Sequence, residues 1–592
     1  MREATRPGEE EKGAGNAGPD GRAAAVIGVL GAGTMGAGIA QLACRSGART
    51  LLFDPVAAAL EAGMQKARSG LGREVERKRL SQADADAAAE RLQAAADLAE
   101  LAPCELVIEA APERLELKHE LFGSLSEIVS ERCVLATNTS SLPVTAIAAG
   151  ASAPERVVGM HFFNPAPVMR LLEVVAGERS GEEALAIAFA TGEAMGKTVI
   201  RASDGPGFLV NRCNRPFGLE ALRLLAERIA DVATIDSIVR MQGGYRMGPF
   251  ELMDLVGIDT GFEVSKSFYE QSFGEPRWRP SPITARYAAA GMHGRKTGRG
   301  YYSYEGDGAQ PRPPIGDRPA GGPVHRPDDP PPLAASAPAR GEGAVVLAGE
   351  SALAQQLREA ATAAGYEVRS PHDPTGGVLP ALIIECDVIP ALGDATAAEA
   401  RRADRHGQPL PQGGAQLILC SQGSLAALDG SGSAVGFHVL APLEKAMLVE
   451  LTRSADSSPL AAARAERFFA ALGKHVAWVG DAPGLVLGRM VCQVINECAF
   501  ALGEGVGSAA DIDAGMVLGL NHPRGPLEWA DEIGLDVVLD LLDALADEYR
   551  EERYRAAPVL RRLVLEGRLG RATGAGFFEY GDGGGDNLTS VT

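Results

Sequence analysis

"GVLGAGTMGAGIAQLACRSG" (Gly28–Gly47) places four glycines, Gly31, Gly33, Gly36 and Gly38, within eight residues. They stand where an apolar strand pattern gives way to a helical one. A glycine-rich turn alone says little, so the flanks decide. Val26–Leu30 reads as a buried strand, and Met35, Ile39 and Leu42 then recur at helical spacing. "TLLFD" supplies a second strand ending in Asp54, 21 residues past Gly33. A strand, a glycine turn, a helix and a second strand ending in an acid form the unit that cradles a dinucleotide. Gly31 makes the tight turn, Gly33 lets backbone approach a pyrophosphate, and Gly36 lets helix and strand pack closely. The helix start adds N–H groups and a positive dipole end. Gly31, Ala32, Gly33, Thr34, Met35 and Gly36 are therefore the expected cofactor loop. Asp54 is suited to the adenosine ribose hydroxyls, and its charge disfavours a 2′-phosphate, so NAD is expected rather than NADP.

Outward from this unit, "AAAVIGVL", "TLLF", "ELVIEA", "CVLATN", "RVVGMHF" and "LLEVV" alternate with helical patterns up to about Ser203. That alternation predicts a doubly wound Rossmann-type α/β sheet. From there to about Tyr304 the pattern is helical. A Pro/Gly-rich stretch follows, whose composition predicts a linker. Strand and helix patterns resume at "AVVLAG" (Ala344–Gly349). The chain also repeats itself: "GKTVIRASDGPGFLVNR" (196–212) matches "GKHVAWVGDAPGLVLGR" (473–489), and "MGPFELMDLVGID" (247–259) matches "RGPLEWADEIGLD" (524–536), both at an offset of 277. "GRKTGRGYYSY" (294–304) matches "GRATGAGFFEY" (570–580). A constant offset predicts a duplicated domain. The expected order is a tail (1–23), a nucleotide-binding domain (24–203), a helical domain (204–305), a linker (306–343), a Rossmann-like copy (344–480), a second helical domain (481–582) and a tail (583–592).

The 592 residues exceed what one hydrophobic core serves. A net charge of −20 argues against a nucleic-acid partner, which needs a basic face. No apolar run approaches ~20 residues, so no membrane span is expected. The eight cysteines are scattered, without CxxC or Cys/His zinc spacing. They predict free thiols in a reducing compartment, the cytoplasm, and no metal site. The first residues lack the apolar core of a secretory signal.

Two stretches carry chemistry. "ATNTSSLPVT" (136–145) follows a strand, and "GMHFFNPAPVMRLLEVV" (159–175) puts His161 at a strand end with Glu173 12 residues on, in the next strand. Ligand sites of open α/β sheets lie at such strand ends. A carboxylate beside an imidazole would orient it and tune it as general base or acid.

With "IEAAPERLELKHELF", "DGPGFLVNR" and "MGPFELMDLVGID" added, residues 24–305 resemble the 3-hydroxyacyl-CoA dehydrogenase family. The second helical domain resembles a further copy of that family's C-terminal domain, as in its tandem bacterial members acting on 3-hydroxybutyryl-CoA or 3-hydroxyadipyl-CoA. The resemblance implies an NAD-dependent enzyme that reversibly oxidises an L-3-hydroxyacyl-CoA to the 3-ketoacyl-CoA. It implies that His161 takes the hydroxyl proton, that Glu173 holds the imidazole, and that Ser140 and Asn211 hydrogen-bond the reacting oxygen. It implies further cofactor contacts from Ala110, Glu113, Lys118, Asn164 and Lys296. The acyl-CoA substrate comes from the resemblance alone. One local feature agrees with it: "KARSGLGREVERKRL" (66–80) carries six Lys/Arg against two Glu, a basic helix for the coenzyme's 3′-phosphate, with Lys78 as anchor. A solvated helix face explains the same residues.

In the second copy, Gly349 is kept, but Ser351 and Ala354 replace Gly33 and Gly36, and no carboxylate ends the following strand. His438 and Glu450 keep the spacing of His161 and Glu173. Gly488 stands for Asn211, and Gly423 approximately for Ser140. A degenerate Rossmann-like copy without NAD is the expectation, a different retained ligand staying open. Single-copy family members pair through their helical domains. The two helical domains of this chain are therefore expected to pack together as an intrachain pseudo-dimer, a homo-oligomer staying open. The alternatives are a gulonate-type sugar-acid dehydrogenase of the same fold and a non-catalytic NADH-binding protein.

Overall fold

The apolar run Val26–Leu30 forms strand β1 of a computed structural model that describes residues 21–304, 340–371, 380–387, 415–581 and the backbone of 589–590. The expected tails and linker fall almost wholly outside the described residues. The chain divides into two compact units, residues 1–205 and 206–592.

The first unit is built on eight strands: β1, β2 (Arg49–Phe53), β3 (Leu92–Ala95), β4 (Leu106–Glu109), β5 (Val134–Thr137), β6 (Val157–Phe162), β7 (Leu171–Ala176) and β8 (Thr198–Ser203). Their order is β3-β2-β1-β4-β5-β6-β7-β8. Every pairing is parallel except β6–β7, where a short turn replaces a crossover helix and forces the antiparallel return. Helices cover both faces, so β5 and β6 are buried throughout and read as near-continuous apolar runs. Helix α1 (Thr34–Arg45) buries Ile39 and Leu42 against β1, and α2 (Ala57–Glu76) packs on α1. The apolar runs anticipated six of the strands. "LQAA" of β3, set among alanines, and "TVIRAS" of β8, half polar, carried too little apolar signal.

The second unit opens with helices, among them α3 (Arg215–Ala226) and α4 (Pro282–Ala289). A second sheet follows: β9 (Ala344–Ala348), β10 (Glu367–Arg369), β11 (Leu382–Glu385), β12 (Gln416–Leu419), β13 (Val435–His438), β14 (Leu448–Arg453) and β15 (His475–Trp478). Its order, β10-β9-β11-β12-β13-β14-β15, repeats the first sheet without a counterpart of β3 among the described residues. Again one pairing, β13–β14, is antiparallel. Helix α5 (Ala352–Ala364) follows β9, and the buried α6 (Leu487–Gly503) starts the second helical set.

Helix α3 packs on α6, and the contacts are reciprocal. Arg489, fully buried, donates to Glu220 at 2.5 Å and to Glu227 at 2.5 and 2.9 Å. Arg212 donates to Glu497 at 2.9 Å and ion-pairs with Glu504 at 2.8 Å. The offset of 277 maps Arg212 onto Arg489, Glu220 onto Glu497 and Glu227 onto Glu504. Each copy therefore offers the other the same residues it receives, the signature of a two-fold interface. Tyr245 and His522, related by the same offset, meet each other at 3.5 Å.

Candidate active site

The glycine loop links β1 to α1. Gly31 has a left-handed φ of 100°, and a Cβ there would stand 2.7 Å from the Ala110 carbonyl oxygen. A Cβ on Gly36 would fall 1.7 Å from the Gly31 carbonyl oxygen, so only glycine lets α1 start this close to the turn. Gly33 is different, because a Cβ there would meet nothing within 4 Å. A side chain there would project into open space. Gly33 also caps α1 without a side chain, leaving the first-turn N–H groups, those of Thr34 and Met35 included, without a side-chain cap. Asp54 follows β2. Its carboxylate accepts the Ala32 N–H at 2.9 Å and the Val56 N–H at 2.9 Å, which fixes it beside the loop with lone pairs to spare. An open glycine cap and an oriented carboxylate fit a dinucleotide.

Next along the sheet, Glu109 ends β4, fully buried. It grips the buried Lys118 ammonium at 2.7 and 2.8 Å, accepts the Thr137 hydroxyl at 2.7 Å, and accepts the Ala111 N–H at 2.6 Å. Lys118 is thus a buried strut that steadies the turn holding Ala110, and it also reaches Glu113 at 3.3 Å. Glu109 was missed in the sequence, although an acid ending an apolar strand was the available signal. Glu113 accepts the Thr139 hydroxyl at 2.6 Å and the N–H groups of Ser140 and Ser141 at 3.0 and 3.1 Å. Burial works against its charge, but the bonds from Thr139, Lys118 and Ser140 outweigh it and hold the carboxyl below its ordinary range. Glu113 thereby sets the turn that presents the exposed Ser140.

His161 lies in β6 opposite Glu173 of β7. Its Nδ1 is 2.6 Å from Glu173 Oε2, with the carboxylate fully buried and the ring 6 % exposed. Asn138 accepts the Phe162 N–H at 2.8 Å and ties the end of β6 to the turn after β5. Asn164 is exposed in the turn that follows. Asn211 and Lys296 belong to the second unit. Asn211 is half-buried on the short helix Val210–Cys213, and Lys296 forms an ion pair with Asp259 at 2.5 Å.

A cleft runs from Thr34 and Gly38 of α1 to Pro165 and Pro167. Lys66, Arg73, Arg77 and Arg79 line it. Lys78, expected as the anchor, does not. Helix α2 stops at Glu76, and Lys78 takes a left-handed φ of 57°, which turns it out of the row of its neighbours.

The second copy keeps the register of the pair but not its contact. His438 and Glu450 are paired residues of β13 and β14. Yet Glu450 accepts the N–H groups of Val486 and Leu487 at 2.7 and 3.1 Å, and both ring nitrogens of the buried His438 lack a partner among the described residues. The ring lies over Gly488, where a Cβ would come within 2.2 Å of it. At the β9 turn, Ser351 caps α5 by accepting the Ala354 N–H at 3.3 Å. Asp387 accepts the Glu350 N–H at 2.7 Å, and Arg358 bonds the Gly349 carbonyl.

An open glycine cap and a paired histidine and glutamate on one doubly wound sheet are the features of a nucleotide-dependent dehydrogenase. Residues 26–205 match the 3-hydroxyacyl-CoA dehydrogenase NAD binding domain, and residues 207–304 and 484–580 each match the C-terminal domain of 3-hydroxyacyl-CoA dehydrogenase. The chain belongs to this family. It is 33% identical over 91% of its length to the 3-hydroxyadipyl-CoA dehydrogenase of Escherichia coli K12, covering 97% of that protein. Over 47% of its length it is 38% identical to a probable 3-hydroxybutyryl-CoA dehydrogenase of Deinococcus radiodurans, 99% of which is covered. The crystal structure of 3-hydroxybutyryl-CoA dehydrogenase from E. coli K12 superposes with a TM-score of 0.70 at 32% identity, covering 92% of this chain and 98% of that one.

Proposed function

We propose that this chain oxidises the 3-hydroxyl of an L-3-hydroxyacyl-CoA to the ketone, reversibly, in fatty-acid, aromatic-acid or butyrate metabolism. The observation that carries the reading is the 2.6 Å contact of His161 Nδ1 with the buried Glu173, at the carboxyl end of β6 in the unit that holds the glycine loop. NAD, held by the Gly31–Gly36 loop and Asp54, would supply the acceptor for the hydride leaving C3. With Nδ1 committed to Glu173, His161 Nε2 takes the hydroxyl proton. Glu173 fixes the ring plane and stabilises the imidazolium that results. Ser140, on the turn set by Glu113, hydrogen-bonds the reacting oxygen. Lys66, Arg73, Arg77 and Arg79 supply the charge that a coenzyme A phosphate needs. The roles of Asn211 and Lys296 rest on the family resemblance alone.

The second sheet does not take NAD in this reading. Ser351 caps the helix start that Gly33 leaves open in the first copy, and His438 has neither its carboxylate nor room for a neighbour at Gly488. The second helical set serves instead as an internal partner for the first, and the chain is an intrachain pseudo-dimer.

His161→Ala is expected to lower turnover of acetoacetyl-CoA with NADH by ~10²-fold or more while leaving NAD affinity by calorimetry unchanged. Equal loss of both, or faster turnover of gulonate than of acyl-CoA, would overturn the reading. A series of 3-ketoacyl-CoA substrates then sets the acyl length.

A further inference from the structure

We propose that a second cleft, wholly within residues 206–592 and independent of the dehydrogenase site, binds a small aliphatic carboxylate. It has a volume of about 440 Å³, within the range of small-molecule sites. Arg223, Arg279, Arg286 and Arg553 line it, over an apolar floor that includes Leu219 and Leu222.

The duplication supplies the comparison. Through α3 and α6 the offset is 277, and through the late helices, where Pro282–Ala289 matches Pro558–Leu565, it is 276. The counterparts of Arg279, Arg286 and Arg553 are therefore Arg555, Arg562 and Arg277. Three arginines recur on both sides of the pseudo-dimer. The fourth does not, because Phe500 stands where Arg223 does. On that side Phe500 is 4 % exposed, with the guanidinium of Arg277 4.0 Å and that of Arg555 4.9 Å from its ring centre. Asn496, in place of Leu219, accepts the Ala557 N–H at 2.8 Å and donates to the Arg555 carbonyl at 3.0 Å. An aromatic ring and an amide close that side, where Arg277 is also held by Glu275 at 3.0 Å and Glu497 at 2.9 Å, and Arg555 lies over the ring.

On the open side Arg553 keeps Glu551, the counterpart of Glu275, but Arg223 stands where Phe500 fills the space opposite. Arg223 folds back onto Glu220 at 2.6 Å, a carboxylate that Arg489 already holds at 2.5 Å. Arg553 is held by Glu551, yet its buried Nε has no partner among the described residues. Arg279 and Arg286 are exposed, and neither forms an ion pair among the described residues. In a chain of net charge −20, four guanidinium groups around an apolar hollow with only Glu220 and Glu551 as their paired acids leave net positive charge there. A carboxylate matches the guanidinium fork, and a short alkyl body fills the space that Phe500 fills opposite. A bare inorganic anion would leave the apolar floor wet.

The test is calorimetric titration of the full chain with hexanoate, with inorganic phosphate as the probe lacking an alkyl body. Hexanoate is expected to bind at about 1 mM or tighter, and phosphate at least about tenfold more weakly. Arg223→Phe, which installs the residue the other copy already carries, should abolish the heat of hexanoate binding without altering acetoacetyl-CoA turnover. Arg279→Gln with Arg286→Gln should weaken hexanoate about tenfold or more. Silence of the parent chain at 10 mM (about ten times the expected constant), or equal binding by the parent and Arg223→Phe, would overturn the site. Equal binding of phosphate and hexanoate would overturn the aliphatic assignment.

Discussion

Two histidines in corresponding strands have opposite fates, and the difference lies in one carboxylate each. Glu173 stays with His161 at 2.6 Å, whereas Glu450 turns to the N–H groups that start α6. Burial without a partner pushes His438 down to about 3 from an ordinary 6.5. Burial pushes Glu450 up to about 8, against the pull of the Val486 and Leu487 N–H groups. Below pH 6.5 an unfolded chain binds a proton at His438 that the folded chain refuses. The stability His438 permits is therefore full above that pH and is lost as pH falls toward 3, by up to ~1.4 kcal/mol per unit. His438→Leu removes the titrating group and two unsatisfied buried nitrogens. In urea unfolding it should match or slightly exceed the parent at pH 8, and should exceed it by about 2 kcal/mol at pH 5. If the gap is the same at both pH values, His438 is not buried as described. The equal spacing of the two His–Glu pairs was legible in the sequence, because antiparallel register needs only counting. Which Glu keeps its His was not, since the competing donors lie 36 and 37 residues away in another element.

At the scale of elements, the β1–α1 turn was the most legible part of the chain. Strand, glycines, helix and acid are local, and each constrains the next. The end of α2 was less so: "EVERKRL" continues a helical composition, but the backbone leaves the helix at Arg77 and takes Lys78 left-handed, so its neighbours line the cleft instead. The glycines of the turn also divide by task. Gly36 serves packing, because an added methyl would drive into the Gly31 carbonyl. Gly33 faces open space with φ −65°, a conformation alanine adopts without strain. Gly36→Ala should therefore cost about 3 kcal/mol or more by denaturant unfolding, as overpacked sites do. Gly33→Ala should melt within about 2 °C of the parent yet bind NAD about tenfold or more weakly, because the methyl stands where the pyrophosphate approaches. Thermal melting and NAD titration of the two variants separate these outcomes. Unchanged NAD affinity in Gly33→Ala would place the nucleotide elsewhere.

The whole molecule carries a two-fold interface inside one chain, and its energetics follow from burial. Arg489 is fully buried against Glu220 and Glu227, with the hydroxyls of Tyr549 and Tyr554 at 2.8 and 2.7 Å completing its shell. Such a cluster adds modest net stability when complete, but breaking it strands charge. Arg489→Ala should cost about 3–5 kcal/mol, and adding Glu220→Gln should recover part of that loss. The repeat made the duplication visible in the sequence. It could not show that the duplicated Arg and Glu exchange partners, because residues 285 positions apart meet only in the fold. Truncation after Gly306 tests this exchange. It removes α6 and leaves Glu220, Glu227 and Arg212 on a face that had been buried. The same face is self-complementary, since Arg212 satisfies Glu497 and Glu504, the counterparts of Glu220 and Glu227. Two truncated chains can restore both halves of the exchange by facing one another, now at the entropic cost of association that the intact chain avoids through its tether. Light scattering behind size exclusion should therefore find the truncated chain as a concentration-dependent dimer, or aggregated at low salt. A soluble monomer as stable as the parent would mean that the second helical set is not the partner of the first.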